Sequence, residues 1–243
     1  MVIKPDLSGQ VAIVTGGGRG IGRAVALALA RCKASVIISA RTLSEIEAVT
    51  EEIRKADGKA LFVQCNIADE GQINRLFDTV MEKFGRLDIM VNNAAIGRYG
   101  QFQNFSTSDL DDLIAVNMRG TYICCREALQ RMVPQRSGYI INISSVVGFK
   151  GYENQSAYTA TKHAVVGMTK TLALEAQKFN IRASVIHPGG VDTDLAGEAR
   201  PDLDRSILMQ PEDIAQTVLF LLSLSERAAV DEIYIRRRGS SPF

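Results

Sequence analysis

The chain has no excess of either charge: 28 Lys and Arg stand against 27 Asp and Glu in 243 residues, a formal net charge of +1. That balance argues against a polycation that holds nucleic acid by neutralising phosphates, and against a disordered acidic tail. Long apolar runs are also missing, since no stretch approaches the roughly 18 residues a membrane span needs. The first residues, Met1-Val2-Ile3-Lys4-Pro5-Asp6, lack the basic region and apolar run of a signal peptide. Cysteine is scarce: Cys32, Cys65, Cys124 and Cys125 form no C-x-x-C pair, show no metal spacing, and include an adjacent pair poorly placed to bridge to itself. These features read as buried free thiols in a reducing, cytoplasmic compartment. His163 and His187 likewise lack metal-ligand spacing, which leaves them structural roles and predicts no metal site. With no internal repeat, low-complexity stretch or linker, residues 1–243 are expected to form one domain with ample chain for a core.

What the sequence does contain is an alternation. Short apolar runs at 11–14, 36–38, 60–63, 87–91, 139–143, 183–186 and 230–235 are separated by segments of helical period at 20–32, 43–56, 70–84, 109–133, 157–179 and 211–224. Seven strands alternating with helices predict an α/β fold, a parallel sheet covered on both faces. Pro211 suits a first helical position, and Gly58, Gly85 and Gly138 fall where helices should end. Residues 189–210 have no clear period. A loop that long, opening at a strand's carboxyl end, reads as a lid over a ligand.

The first run leads into Thr15-Gly16-Gly17-Gly18-Arg19-Gly20-Ile21-Gly22, followed at once by an Ala-rich helix. Strand, glycine turn and helix N-terminus make an anion site, because glycines admit a pyrophosphate to the backbone and free N–H groups hold it. The spacing departs from G-x-G-x-x-G and fits G-x-x-x-G-x-G through Gly16, Gly20 and Gly22. After the second strand, where an acid would select a free ribose 2′-hydroxyl, the chain reads Ser39-Ala40-Arg41. Arg41, joined by Arg19, suits a 2′-phosphate, so the cofactor expected is NADP(H).

Further along, Tyr158-Thr159-Ala160-Thr161-Lys162 puts a phenol and an ammonium on one helix face. Thirteen residues before the tyrosine, Ser144-Ser145 ends an apolar strand, which places hydroxyls in the ligand crevice. On these motifs the chain resembles the short-chain dehydrogenase/reductase family, in its short single-domain branch, over about residues 8–235. The family's Thr-Gly-x-x-x-Gly-x-Gly matches Thr15 to Gly22 and its Asn-Asn-Ala-Gly matches Asn92-Asn93-Ala94-Ala95. Its isolated Asn matches Asn117, its Ser falls on Ser145 with Ser144 as neighbour, and its Pro-Gly motif matches Pro188-Gly189.

The resemblance implies a Rossmann-type doubly wound sheet and a catalytic set of Asn117, Ser145, Tyr158 and Lys162. It implies a cofactor site of Gly16, Gly18, Arg19, Gly20, Ile21, Gly22, Arg41, Asn66, Ile67, Asn93, Ala94, Tyr158, Lys162, Pro188, Gly189, Val191 and Thr193. In this scheme Ser145 bonds the substrate oxygen and Tyr158 exchanges its proton. Lys162 lowers the phenol's pKa while donating to the nicotinamide ribose, and Asn117 holds a water that links Lys162 to solvent.

Three departures stand out: Asn66 where the family commonly has Asp, Ala95 closing the Asn-Asn-Ala run, and Arg236-Arg237-Arg238 where many members have Asp-Gly-Gly. Ala95 fits only with negative φ. The arginine run suggests an anionic partner or a solvated chain end. The function implied is NADPH-dependent reduction of a ketone or aldehyde, or equivalently an NADP-linked alcohol dehydrogenase. The alternative is 3-oxoacyl-carrier-protein reduction in fatty-acid synthesis, suggested by Ser144-Ser145-Val146-Val147-Gly148. A non-catalytic NADP-binding regulator would keep the glycine turn without needing the tetrad. The family's sugar epimerases carry another glycine spacing and a larger C-terminal domain. The partners implied are a small carbonyl or alcohol substrate and further copies of the chain, as a tetramer or dimer, with no nucleic acid and no membrane.

Overall fold

The computed structural model describes residues 4–199 and 204–242. Its seven strands are β1 (Val11–Thr15), β2 (Ser35–Ala40), β3 (Lys59–Gln64), β4 (Ile89–Asn92), β5 (Gly138–Ile143), β6 (Ile181–Pro188) and β7 (Glu232–Ile235). All neighbouring pairs are parallel, in the order β3-β2-β1-β4-β5-β6-β7. This is the predicted Rossmann-type doubly wound sheet. The order reverses between β1 and β4, so their carboxyl ends splay apart and open a crevice.

The helices are α1 (Gly20–Arg31), α2 (Leu43–Lys55), α3 (Glu70–Phe84), α4 (Thr107–Leu113), α5 (Thr121–Gln135), α6 (Ser156–Gln177), α7 (Asp194–Ala199) and α8 (Pro211–Ser223). Strand β1 explains why the central runs are continuously apolar. Ala12 and Val14 enter one core with Leu29, Ile46 and Val218, while Val11 and Ile13 enter the other with Phe77 and Met132. Side chains alternate across the sheet, and both faces are buried.

The helix predicted over 109–133 is one continuous run of helical backbone, but not a regular one. Between α4 and α5 it widens to π geometry over Ile114–Gly120. Such turns are rare and concentrate at functional sites. Pro134 is tolerated because it falls in the last turn of α5. Of the three glycines expected at helix ends, only Gly85 takes the left-handed conformation (φ +68°); after α2 and α5 that position belongs to Asp57 and Arg136. Pro211 does open α8, in a box where Gln210 N–H donates to Asp213 Oδ2 at 2.8 Å.

The segment expected to be an aperiodic lid is partly structured. Helix α7 and a 3₁₀ turn at Arg205–Ile207 lie within it, and residues 200–203 of that expectation fall outside the described residues. Six residues are too few for periodicity to reveal. Cys32, Cys65, Cys124 and Cys125 are all free and buried. No helix among the described residues is long and apolar enough to cross a membrane.

Candidate active site

The glycine turn leaves β1 through Gly16, whose φ of +63° is strained for any side chain. A Cβ at Gly22 would overlap the Gly16 carbonyl oxygen, so α1 starts hard against the turn that precedes it. Asn93 fixes this arrangement by donating its amide hydrogens to Thr15 O (3.0 Å) and Gly16 O (3.2 Å). Thr15 Oγ1 accepts the main-chain N–H groups of Asn93 and Ala94, both at 3.1 Å. The Asn-Asn-Ala motif therefore braces the turn as well as lining the crevice. Ala95 has the negative φ it needs.

From this turn a cleft of about 330 Å³ runs along the carboxyl ends of β1, β2 and β3. Of the residues expected to bind a cofactor, Gly16, Gly18, Arg19, Gly20, Ile21, Arg41, Asn66, Ile67, Asn93, Ala94 and Thr193 line it, and Gly22 packs against the Gly16 main chain. Its two arginines differ. Arg19 donates to Asp194 of α7 at 2.9 Å, with both side chains largely exposed, whereas Arg41 is exposed and its guanidinium has no partner among the described residues. Asn66 Oδ1 accepts the Ala68 N–H at 3.2 Å and keeps a second lone pair. Glu45, not singled out in the sequence, packs against Gly18 and adds a carboxylate to the same wall.

The cleft continues into a second cavity of about 240 Å³, sharing Ile21, Asn93, Ala95, Thr193 and Leu195 with the first. Here β5, the first turns of α6 and the segment after β6 bring Ser145, Tyr158, Lys162, Pro188, Gly189, Val191 and Thr193 together. The adjacent serines separate by role. Ser144 Oγ is buried and donates to Lys162 O at 3.1 Å, whereas Ser145 Oγ accepts the Val147 N–H at 3.3 Å and is hydrogen-bonded to the Tyr158 phenol in the cavity. Tyr99 stands edge-on to Tyr158 with ring centroids 5.7 Å apart.

Tyr158 is 6% exposed and Lys162 4%. Lys162 Nζ donates to Ile143 O at 3.1 Å and lies 5.7 Å from the Tyr158 ring centre. Burial dominates the titration of both. The Tyr158 phenol is raised by desolvation and by Tyr99, against a smaller lowering by the Ser145 hydroxyl. Burial brings the Lys162 ammonium down to about 8. The expected lowering by Lys162 is not found, because loss of water outweighs the hydrogen bond from Ser145.

Asn117 lies in the π-helical stretch, 1% exposed. Its amide donates to Ile96 O (3.0 Å) and Thr161 Oγ1 (3.3 Å), and its oxygen accepts the Ile96 N–H at 2.9 Å. Both amide hydrogens are committed, so the side chain ties the helix to the crevice. His187, expected to be structural, is buried behind the serine loop, with Nδ1 3.3 Å from Ser145 O and Nε2 3.0 Å from Glu232 Oε2.

Against known proteins, residues 10–204 match a family model described as short chain dehydrogenase. The chain is 38% identical over 226 residues to a 3-oxoacyl-[acyl-carrier-protein] reductase of Aquifex aeolicus, covering 89% of this chain and 91% of that protein. It is 38% identical over 218 residues to carbonyl reductase family member 4 of Xenopus laevis, with coverage of 88% and 91%. Among solved structures, a metagenomic short-chain oxidoreductase in complex with NADP superposes with a TM-score of 0.86 at 32% identity, over 97% of this chain and 100% of that one.

Proposed function

The chain belongs to the short-chain dehydrogenase family of oxidoreductases, and from that premise we propose that it uses NADPH to reduce a ketone or aldehyde carbonyl, or reversibly NADP⁺ to oxidise the alcohol. The observation that carries the reading is the continuity of the two cavities. A groove walled by the glycine turn and two arginines opens directly onto Ser145, Tyr158 and Lys162.

The residues present fit a dinucleotide. Gly16 and Gly22 leave the helix N-terminus bare of side chains, which suits a pyrophosphate. Gly18, Gly20 and Ile21 complete that turn, Arg41 with Arg19 would hold a 2′-phosphate, and Asn66 with Ile67 would face the adenine. Asn93, Ala94, Pro188, Gly189, Val191 and Thr193 would hold the nicotinamide end. When bound, the nicotinamide supplies the hydride.

The protein's own groups supply the rest. Ser145 Oγ–H donates to the carbonyl oxygen and stabilises the charge that develops there. Tyr158 gives its phenolic proton to that oxygen in reduction and accepts it back in oxidation. Lys162 offers the ribose its ammonium and replenishes the phenol's proton. Asn117 positions the crevice through Ile96 and Thr161.

The 38% identity to a 3-oxoacyl-[acyl-carrier-protein] reductase supports a second reading, in which the carbonyl arrives on a carrier as a 3-oxoacyl thioester. Helix α7 and its neighbours within 189–210 serve in either case as a substrate lid. The four buried free thiols support a cytoplasmic setting, and exposed Tyr122 and Leu174 on α5 and α6 support assembly as a tetramer or dimer. The test is loss of reduced-nicotinamide absorbance with NADPH and with NADH, over ketones, aldehydes and 3-oxoacyl thioesters. Turnover with NADPH on a free carbonyl is expected. Carrier-bound chains turned over far better than short ester mimics would favour the second reading, and silence throughout with NADPH binding intact would overturn both.

A further inference from the structure

Resting on the reductase reading above, we propose that the substrate is an oxo acid, and that Arg237 is the residue that recognises its carboxylate. The cavity holding Ser145 and Tyr158 contains no Asp or Glu among the described residues that line it, yet two cations face it, Lys162 and Arg237. Lys162 is engaged with Ile143 O and the tyrosine ring. Arg237 is half-buried, and its guanidinium has neither a hydrogen bond nor an ion pair among the described residues. A half-buried guanidinium left unpaired in a cavity wall that carries no carboxylate is the complement of a planar, bidentate anion.

The chain holds this side chain in place. The carbonyl of Arg237 accepts three hydrogen bonds, from Arg236 Nη1 (3.1 Å), Ser240 N (3.1 Å) and Ser240 Oγ (2.9 Å). Arg236 Nη1 also donates to Arg238 O and Ser240 O, so that nitrogen closes the tail into a turn. Gly189 N–H donates to Ile235 O at 2.8 Å, which docks that turn against the segment after β6. The Arg237 stem then lies over Gly190, with Cδ 3.5 Å from where a Cβ would stand. Arg236 builds the turn and Arg237 is presented by it, so the run of three arginines is not a uniform solvated end.

The cavity is small, about 240 Å³, and its cation sits in the same chamber as the hydroxyls that act on the carbonyl. Carbonyl and carboxylate must therefore lie within one short molecule. A single fork without a second free cation suits one carboxylate better than a phosphate ester. Thioesters and simple ketones carry no group to meet it.

The experiment compares pyruvate, acetoacetate and levulinate with the methyl ester of each, using NADPH and the full-length chain, in wild type, Arg237→Met and Arg237→Lys. One acid should exceed its ester in kcat/KM by about tenfold to a hundredfold. Arg237→Met should abolish that preference while leaving kcat/KM for the ester and the Kd for NADPH unchanged, and Arg237→Lys should restore part of it. In parallel, calorimetry of the matching hydroxy acids on NADPH-loaded protein reads the anion site without turnover. Equal turnover of acids and esters, or equal losses on both in Arg237→Met, overturns the inference and leaves the reductase reading intact. Hydroxy-acid binding lost in Arg237→Met, with no carbonyl reduced by wild type, upholds the anion site and overturns the reductase reading.

Discussion

At the glycine-turn end of the cleft the shape is set by main chain: a left-handed Gly16, the bare start of α1, and Asn93 and Thr15 bonding to backbone atoms. At the other end it is set by side chains from four distant places, Ser145 after β5, Tyr158 and Lys162 on α6, Leu195 on α7 and Arg237 beyond β7. Their electrostatics differ as well. The first wall mixes Arg19 and Arg41 with Glu45, Asp194 and Glu198, whereas the second is purely cationic among the described residues. A main-chain site receives one invariant ligand and tolerates little change, while a side-chain site can be retuned for new substrates on an unchanged frame.

The sharpest way to break that contrast is Tyr158→Phe. Removing the proton donor should lower kcat by about a thousandfold while NADPH binding, measured by fluorescence, stays within a factor of two. Retained turnover would take the role of proton donor away from Tyr158. Gly22→Ala should do the reverse, striking binding rather than chemistry. The added methyl overlaps the Gly16 carbonyl, so we expect a loss of ~1–3 kcal/mol in stability by denaturant titration and at least about tenfold weaker NADPH binding.

Smaller still is the separation of the two arginines. Arg41→Asp should cut the NADPH-over-NADH preference about a hundredfold, whereas Arg19→Ala should cost less than about tenfold, because Arg19 already shares its charge with Asp194. Equal effects would show that the Asp194 pair does not hold Arg19 back. The least effect concerns pH. Burial lowers Lys162 from 10.5 to about 8, so between those values the unfolded chain binds the extra proton and stability rises with pH. Below about 8 both states are protonated and the contribution is flat. Lys162→Met should remove this rise, read as the change in thermal midpoint between pH 8 and pH 10.

The same contrast explains what could be read from the chain alone. Strands such as β1 and β5 announce themselves because burial on both faces leaves an unbroken apolar run, and the glycine turn does so because steric need fixes residue type. The tetrad is legible for a related reason: Tyr158 and Lys162 are one helical turn apart, and Ser145 ends a strand. Helix α7 has too few residues for a period, and Arg237 meets the cavity only through a turn closed by Arg236 and Ser240, contacts with no sequence signature. The π stretch was hidden because its residues keep an ordinary helical composition. The phenol's direction of titration was hidden because it depends on how completely Tyr158 is enclosed.

That stretch, Ile114–Gly120, has one further consequence. A π turn amounts to a single inserted residue, so deleting one would let the run from Thr107 to Gln135 close into uninterrupted α-helix. It would also turn the two halves against each other by about 100°, carrying Asn117 away from Ile96. The chain thus retains an insertion that its own helix would be more regular without, and selection for a straighter, more stable helix would run directly against selection for the crevice.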